Sequence, residues 1–165
     1  MAGVSPVRKG RVGDVPRMAG LINQYAAQAL MLPKSLNQLY QNLRDFVVVE
    51  REKEVIGCGA LHVMWRDLAE IRSLAVAEPY TGNGVGRQIV AQLLAEACEL
   101  GVPTVFALTY QVEFFQRLGF HQVSKEILPR KIWVDCLDCP KFPNCDETAM
   151  ILSTSRVRGE KHNVI

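Results

Sequence analysis

No apolar run in this chain approaches the length of a membrane span, and its start, "MAGVSPVRKGRVGDV", lacks the hydrophobic stretch of a secretory signal. Neither sign of charge dominates. Lys and Arg total 19 against 17 Asp and Glu, a net charge of +2. A nucleic-acid-binding protein usually shows a concentrated basic face, so that class of partner is set aside. Internal repeats and low-complexity tracts are also missing, which removes repeat arrays. Five cysteines without a secretory signal point to reduced thiols. These absences predict a cytoplasmic protein with neither a membrane nor a nucleic acid as partner.

What is present suits one ordinary domain of 165 residues, 48% hydrophobic and 22% charged, long enough for a real core. "SPVRKG" is a short strand candidate. Asp14 is placed to cap a helix with Pro16 in its first turn, and Met18, Leu21, Ile22 and Tyr25 follow at helical spacing. Pro33 is expected to break that helix, and Ser35 to cap a second one holding Leu36, Leu39, Tyr40 and Leu43. "FVVVERE" and "EVIGCGALHVMW" read as strands joined by a tight turn at Arg51 to Glu54, and "LAEIRSLAVAEP" as a third strand. A helix over "RQIVAQLLAEACELG", a buried strand "TVFALT", a short helix "VEFFQRLGF" and strands at "HQVSKE" and "TAMILSTS" complete the order. A single mixed sheet with helices on both faces buries these elements most simply. The domain is expected over residues 1–154, with 155–165 a polar, disordered tail.

The stretch "YTGNGVGRQIV" carries the chemistry. Gly82, Gly84 and Gly86 stand between a strand and a helix N-terminus. Glycines let the backbone approach an anion, and the unpaired N–H groups of the helix start point at it. A nucleoside triphosphate would want Gly-Lys-Ser/Thr, whereas Gly86 is followed by Arg87 and Gln88. A dinucleotide would want G-x-G-x-x-G after the first strand of a βαβ unit, and here the spacing is G-x-G-x-G after the fourth strand. Coenzyme A, through its pyrophosphate, remains beside the plain alternative of a helix-capping turn.

"EIRSLAVAEPYTGNGVGRQIVAQLLAEA" followed by "FFQRLGF" resembles the GNAT superfamily of acetyl-CoA-dependent N-acetyltransferases, whose loop pattern is Q/R-x-x-G-x-G/A. The resemblance covers nearly the whole chain. It implies an α/β (α+β) GNAT fold, with a mostly antiparallel mixed sheet of six to seven strands and helices on both faces. It further implies acetyl-CoA as co-substrate, with no metal required for catalysis. The cofactor contacts would be Leu74, Ala75 and Val76 on the strand and Thr81, Gly82, Asn83, Gly84, Val85, Gly86 and Arg87 in the loop. The chain departs from the pattern twice. Thr81 replaces Gln or Arg, which leaves backbone donors intact. Phe115 replaces a frequent tyrosine, so the usual general acid is missing.

Within the superfamily, "GCGALH", "AEIRSLAV", "VFALTYQVEFFQRLGF" and "EILPRKIW" are similar to the acetyltransferase domain of N-acetylglutamate synthases, and "DCLDCPKFPNCDETAM" to their short single-domain forms. A short form without the amino-acid-kinase domain of the long forms is expected. This resemblance implies L-glutamate as the acceptor. It makes Glu70 the general base, Thr109 a general acid toward the departing thiolate, and Leu32 and Lys34 acceptor contacts. The residue types suit the chemistry: an α-amine must lose a proton before attacking a thioester, and a carboxylate can take it. A dicarboxylic acceptor needs cations, with Lys34, Arg72, Arg130 and Lys131 as candidates and Lys131 preferred to its neighbour. Each has a plainer reading: Glu70 and Arg72 as a strand pair, Thr109 as a strand-end cap, Lys34 as a solvated lysine. His62 reads as a half-buried strand histidine.

A GNAT enzyme acting on another small amine or a protein N-terminus would be favoured by an acidic acceptor pocket instead of a basic one. A non-catalytic acyl-CoA sensor would make Glu70 dispensable. A homodimer is compatible with the sequence. Cys136, Cys139 and Cys145, spaced C-x2-C-x5-C, leave a metal site, reduced thiols and a redox pair open. Cys58 and Cys98 read as core cysteines.

Overall fold

The computed structural model describes residues 6–128 and 146–155. The chain forms β1 (Arg8–Lys9), α1 (Val15–Ala27), α2 (Leu36–Gln41), β2 (Phe46–Arg51), β3 (Glu54–Trp65), β4 (Leu68–Val76), α3 (Val85–Leu100), β5 (Thr104–Thr109), α4 (Val112–Arg117), β6 (His121–Val123) and β7 (Thr148–Ser153). That is the element order expected from the sequence. The seven strands form one mixed sheet in the order β1-β2-β3-β4-β5-β7-β6. Pairing is antiparallel for β1–β2, β2–β3, β5–β7 and β6–β7, and parallel for β4–β5.

Contacts divide the chain into two compact units, residues 1–62 with 71–96 and residues 63–70 with 97–165. In the first, Val15, Met18, Leu21 and Ile22 form the buried stripe of α1, and Ile89, Val90 and Leu93 that of α3. Helix α3 lies so close to β3 that a Cβ on Gly59 would sit 2.7 Å from Ile89 Cγ2. The glycines of "GCG" therefore serve packing. Between them Cys58 is fully buried; its thiol donates to the Ser73 carbonyl at 3.6 Å, and burial pushes its pKa up to about 12. The second unit is centred on Leu68, Phe106, Leu128 and Ala149. There Phe115 is buried and meets Phe114 and Phe120 edge to face, each at 5.1 Å between ring centroids.

Two local expectations fail because neighbouring groups compete. Asp14 does not cap α1. It ends a 3₁₀ turn, Val12–Asp14, and its carboxylate is held by Arg8 at 2.8 and 2.9 Å and by the Arg11 N–H at 2.7 Å. Nor does Pro33 stop α1. The helix ends at Ala27, and Ala29 adopts φ 59°, with the Leu30 N–H returning to the Tyr25 carbonyl at 3.1 Å. Such a reversal is normally made by glycine. Ser35 caps α2 as expected, its hydroxyl accepting from the Gln38 N–H at 3.1 Å. Among the described residues, no helix is long and apolar enough to cross a membrane.

Candidate active site

The glycine loop joins β4 to α3. Gly82 and Gly84 take φ 80° and 83°, left-handed values that a side chain resists. The Gln88 N–H returns to the Gly84 carbonyl at 3.0 Å, so the first turn of α3 presents the N–H groups of Val85, Gly86 and Arg87 at its open end. A Cβ built on Gly82 or Gly84 would meet nothing within 4 Å. The space before the loop is therefore open to an anion, and the residues present fit a pyrophosphate. Asn83 and Arg87 are exposed. Thr81 turns inward on the loop itself, its hydroxyl donating to the Glu78 carbonyl at 2.8 Å. That side chain shapes the turn.

Strand β4 leads into the loop. Its parallel ladder with β5 covers Leu68–Glu70 against Thr104–Phe106, with Glu70 its last member and half-buried. Ser73 follows at φ 56°, a left-handed residue inside a strand. Conformations of this kind cost about 1–3 kcal/mol and gather at functional sites. Leu74, Ala75 and Val76 come after this break. The Val76 carbonyl accepts a short hydrogen bond from the Tyr25 hydroxyl, whose pKa is raised by burial and by the nearby Glu78 charge.

Two of the expected acceptor residues, Lys34 and Arg72, line an open cleft in the first unit, together with Gln38, Asn42, Asp45 and His62 among others. Lys34 and Arg72, 38 positions apart in the chain, thus share one cleft. Leu32, half-buried, belongs to the same α1–α2 loop. Asn23 fixes that loop: its amide donates to the Lys34 carbonyl at 2.9 Å and accepts from the Lys34 N–H at 3.0 Å. Sequence reading missed Asn23, because a polar residue beside the apolar stripe of a helix looks solvated. It also missed Asp45, whose Oδ2 lies 2.6 Å from His62 Nδ1. The 3₁₀ turn Leu43–Asp45 that brings it there has no periodic signature.

In the second unit the Thr109 hydroxyl accepts the Gln111 N–H at 2.8 Å and keeps its own proton for another partner. The adjacent Tyr110 donates to Asp146 at 2.5 Å. Arg130, Lys131, Cys136, Cys139, Cys145 and the tail from residue 156 lie outside the described residues. Among the described residues, no three His, Cys, Asp or Glu side chains are grouped to hold a metal.

The sequence pattern of the acetyltransferase (GNAT) family matches residues 20–120. An uncharacterized N-acetyltransferase of Chlorobaculum tepidum is 41% identical over 145 residues, 88% of this chain and 94% of that protein. An amino-acid acetyltransferase of Mycobacterium tuberculosis is 44% identical over 121 residues, 72% of this chain and 69% of that one. Among solved structures, a Mycobacterium tuberculosis protein in complex with CoA and NLQ has a TM-score of 0.79 at 37% identity, covering 89% of this chain and 98% of that one. N-acetylglutamate synthase from Neisseria gonorrhoeae, complexed with coenzyme A and N-acetyl-glutamate, has a TM-score of 0.83 at 27% identity. That match covers 93% of this chain but 36% of the larger protein. With the family pattern spanning more than half of its length, the chain belongs to the acetyltransferase (GNAT) family and is an acetyl-CoA-dependent N-acetyltransferase.

Proposed function

We propose that the acceptor is the α-amine of L-glutamate, the reaction that opens arginine biosynthesis. The observation that carries this reading is the convergence of Lys34 and Arg72 on one cleft. Two carboxylates taken from water need cations, and this cleft brings two to one place. Asp45 also lines the cleft, but Lys34 and Arg72 outnumber it, so the cleft is not the acidic one a simple amine would favour. Two of the relatives, an amino-acid acetyltransferase and an N-acetylglutamate synthase, support the same reading. Lys131 remains a candidate further contact to the acceptor.

In this reading Glu70 accepts the proton of the ammonium group, directly or through water, and frees the lone pair for attack on the thioester. Backbone N–H groups over Leu74–Val76 polarise the carbonyl and hold the pantetheine arm, and the loop from Thr81 to Arg87 holds the pyrophosphate. Thr109 donates toward the leaving thiolate. A thiolate is a stable leaving group, so a weak acid suffices and the apolar Phe115 costs little. Incubating the protein with acetyl-CoA and each amino acid in turn, and following free thiol, tests the assignment. Glutamate should give the highest kcat/KM; preference for neutral amines over glutamate would overturn it.

A further inference from the structure

The Asp45–His62 contact says something about specificity that the fold does not, provided the cleft is the acceptor site as read above. An ionised carboxylate only accepts hydrogen bonds, so the His62 nitrogen 2.6 Å from Asp45, Nδ1, must carry a proton. In the neutral ring Nε2 is then a hydrogen-bond acceptor; in the imidazolium it is a charged donor. The two side chains are 32% and 30% exposed, so the pair can exchange protons with solvent. The charged groups around the ring in this cleft are Asp45 from the 3₁₀ turn, Lys34 from the α1–α2 loop and Arg72 from β4, while Gln38 and Asn42 are neutral.

We propose that His62, oriented by Asp45, is a specificity-determining residue that reads the end of the acceptor's side chain. Neutral His62 offers Nε2 to a carboxamide N–H, and protonated His62 offers a charged N–H to a carboxylate. The cleft therefore moves its preference from the carboxamide amino acid toward the dicarboxylic one as pH falls. Lysine and arginine do not ordinarily change charge where imidazole does, so Lys34 and Arg72 supply a constant attraction and cannot produce the change.

The test is kcat/KM for L-glutamate and for L-glutamine at saturating acetyl-CoA, from about pH 6 to about pH 8.5, in the full chain and in His62→Gln and Asp45→Asn. Deprotonation of the α-amine is common to both substrates and cancels in their ratio. The glutamate-to-glutamine ratio should rise about tenfold toward low pH, the worth of one charge-assisted contact. It should be flat in His62→Gln and altered in Asp45→Asn. A flat ratio in the parent, or an unchanged pH dependence in His62→Gln, overturns the proposal. Should the variants not fold, long-range ¹H–¹⁵N spectra of the parent decide the tautomer: Nδ1–H in the neutral ring supports it, Nε2–H overturns it. Turnover of both amino acids with a flat ratio removes this inference alone. Turnover of neither removes the glutamate reading, and this inference with it.

Discussion

The glycine loop and the acceptor cleft are built by opposite means. The loop is seven consecutive residues, Thr81 to Arg87, whose working groups are backbone N–H groups at a helix start. The cleft draws side chains from α2, the α1–α2 loop, a 3₁₀ turn, β3 and β4. A backbone site tolerates new side chains and resists new conformations. Thr81, folded onto the Glu78 carbonyl where the family prefers Gln or Arg, shows that tolerance. A side-chain site is the reverse: it survives small backbone shifts but not the loss of a charge.

Glu70 offers the largest effect and belongs to neither binding region. If it is the base, Glu70→Gln lowers kcat about 10²- to 10⁴-fold, the usual worth of general-base catalysis, and leaves both KM values near the parent's. Turnover within a few-fold of the parent across pH would return Glu70 to a structural role and leave the two binding regions as the whole of what β4 organises.

Lys34→Ala comes next and strikes the cleft alone. Truncating one charge-assisted contact costs about 1.5–3 kcal/mol, so the KM for glutamate should rise roughly 10- to 150-fold. The KM for acetyl-CoA should hardly move. Equal rises in both would mean that the two regions are not separable.

On the loop side, Gly84→Ala should weaken coenzyme A binding more than Gly86→Ala. Gly84 holds φ 83°, where an L-residue costs roughly 1–2 kcal/mol, equivalent to about 5- to 30-fold in affinity if the loop relaxes out of its cradle. Gly86 lies in the first turn of α3, where alanine is preferred to glycine by about 1 kcal/mol, and the family pattern itself accepts alanine there. Calorimetry on both variants decides. Equal losses would shift the explanation from conformation to crowding of the phosphate.

The same contrast governs what could be read from the sequence. The order of all eleven elements was legible, because hydrophobic period and turn residues are local signals. So was the glycine loop. Lys34 could be named only through the family resemblance of its loop, and Arg72 only because a dicarboxylic acceptor demanded cations. The rest depends on competing contacts and backbone geometry that carry no residue signature. Asp14 has the residue type and position of a cap, yet Arg8 and the 3₁₀ turn claim its carboxylate. A register shift at Val49/Glu50 sets Phe46 opposite Ala60, and no residue there announces it. Without that shift every pairing beyond it, up to the segment carrying His62, would slip by one. Ser73 at φ 56° is likewise invisible, since serine is unremarkable in a strand.

Asn23 gives the smallest effect and the sharpest test of how the cleft is assembled. Its amide hydrogen-bonds the backbone of Lys34 on both sides, so it is a positioning residue and acts through the side chain it places. Asn23→Ala removes both hydrogen bonds, each worth about 0.5–1.5 kcal/mol when neutral, and part of that loss appears as looser placement of Lys34. The expected result is a rise of about 3- to 10-fold in the KM for glutamate, with kcat and the KM for acetyl-CoA unchanged. Asn23→Asp keeps an acceptor for the Lys34 N–H but loses the donor to its carbonyl, and should fall between parent and alanine. A lower melting temperature alone would not distinguish positioning from general support of α1. The cycle with Lys34→Ala does. Once the lysine side chain is gone, Asn23→Ala should add almost nothing to the KM for glutamate, a coupling of about 0.5 kcal/mol or more. Additive losses would show that Asn23 holds the helix, and that the α1–α2 loop reaches the cleft without it.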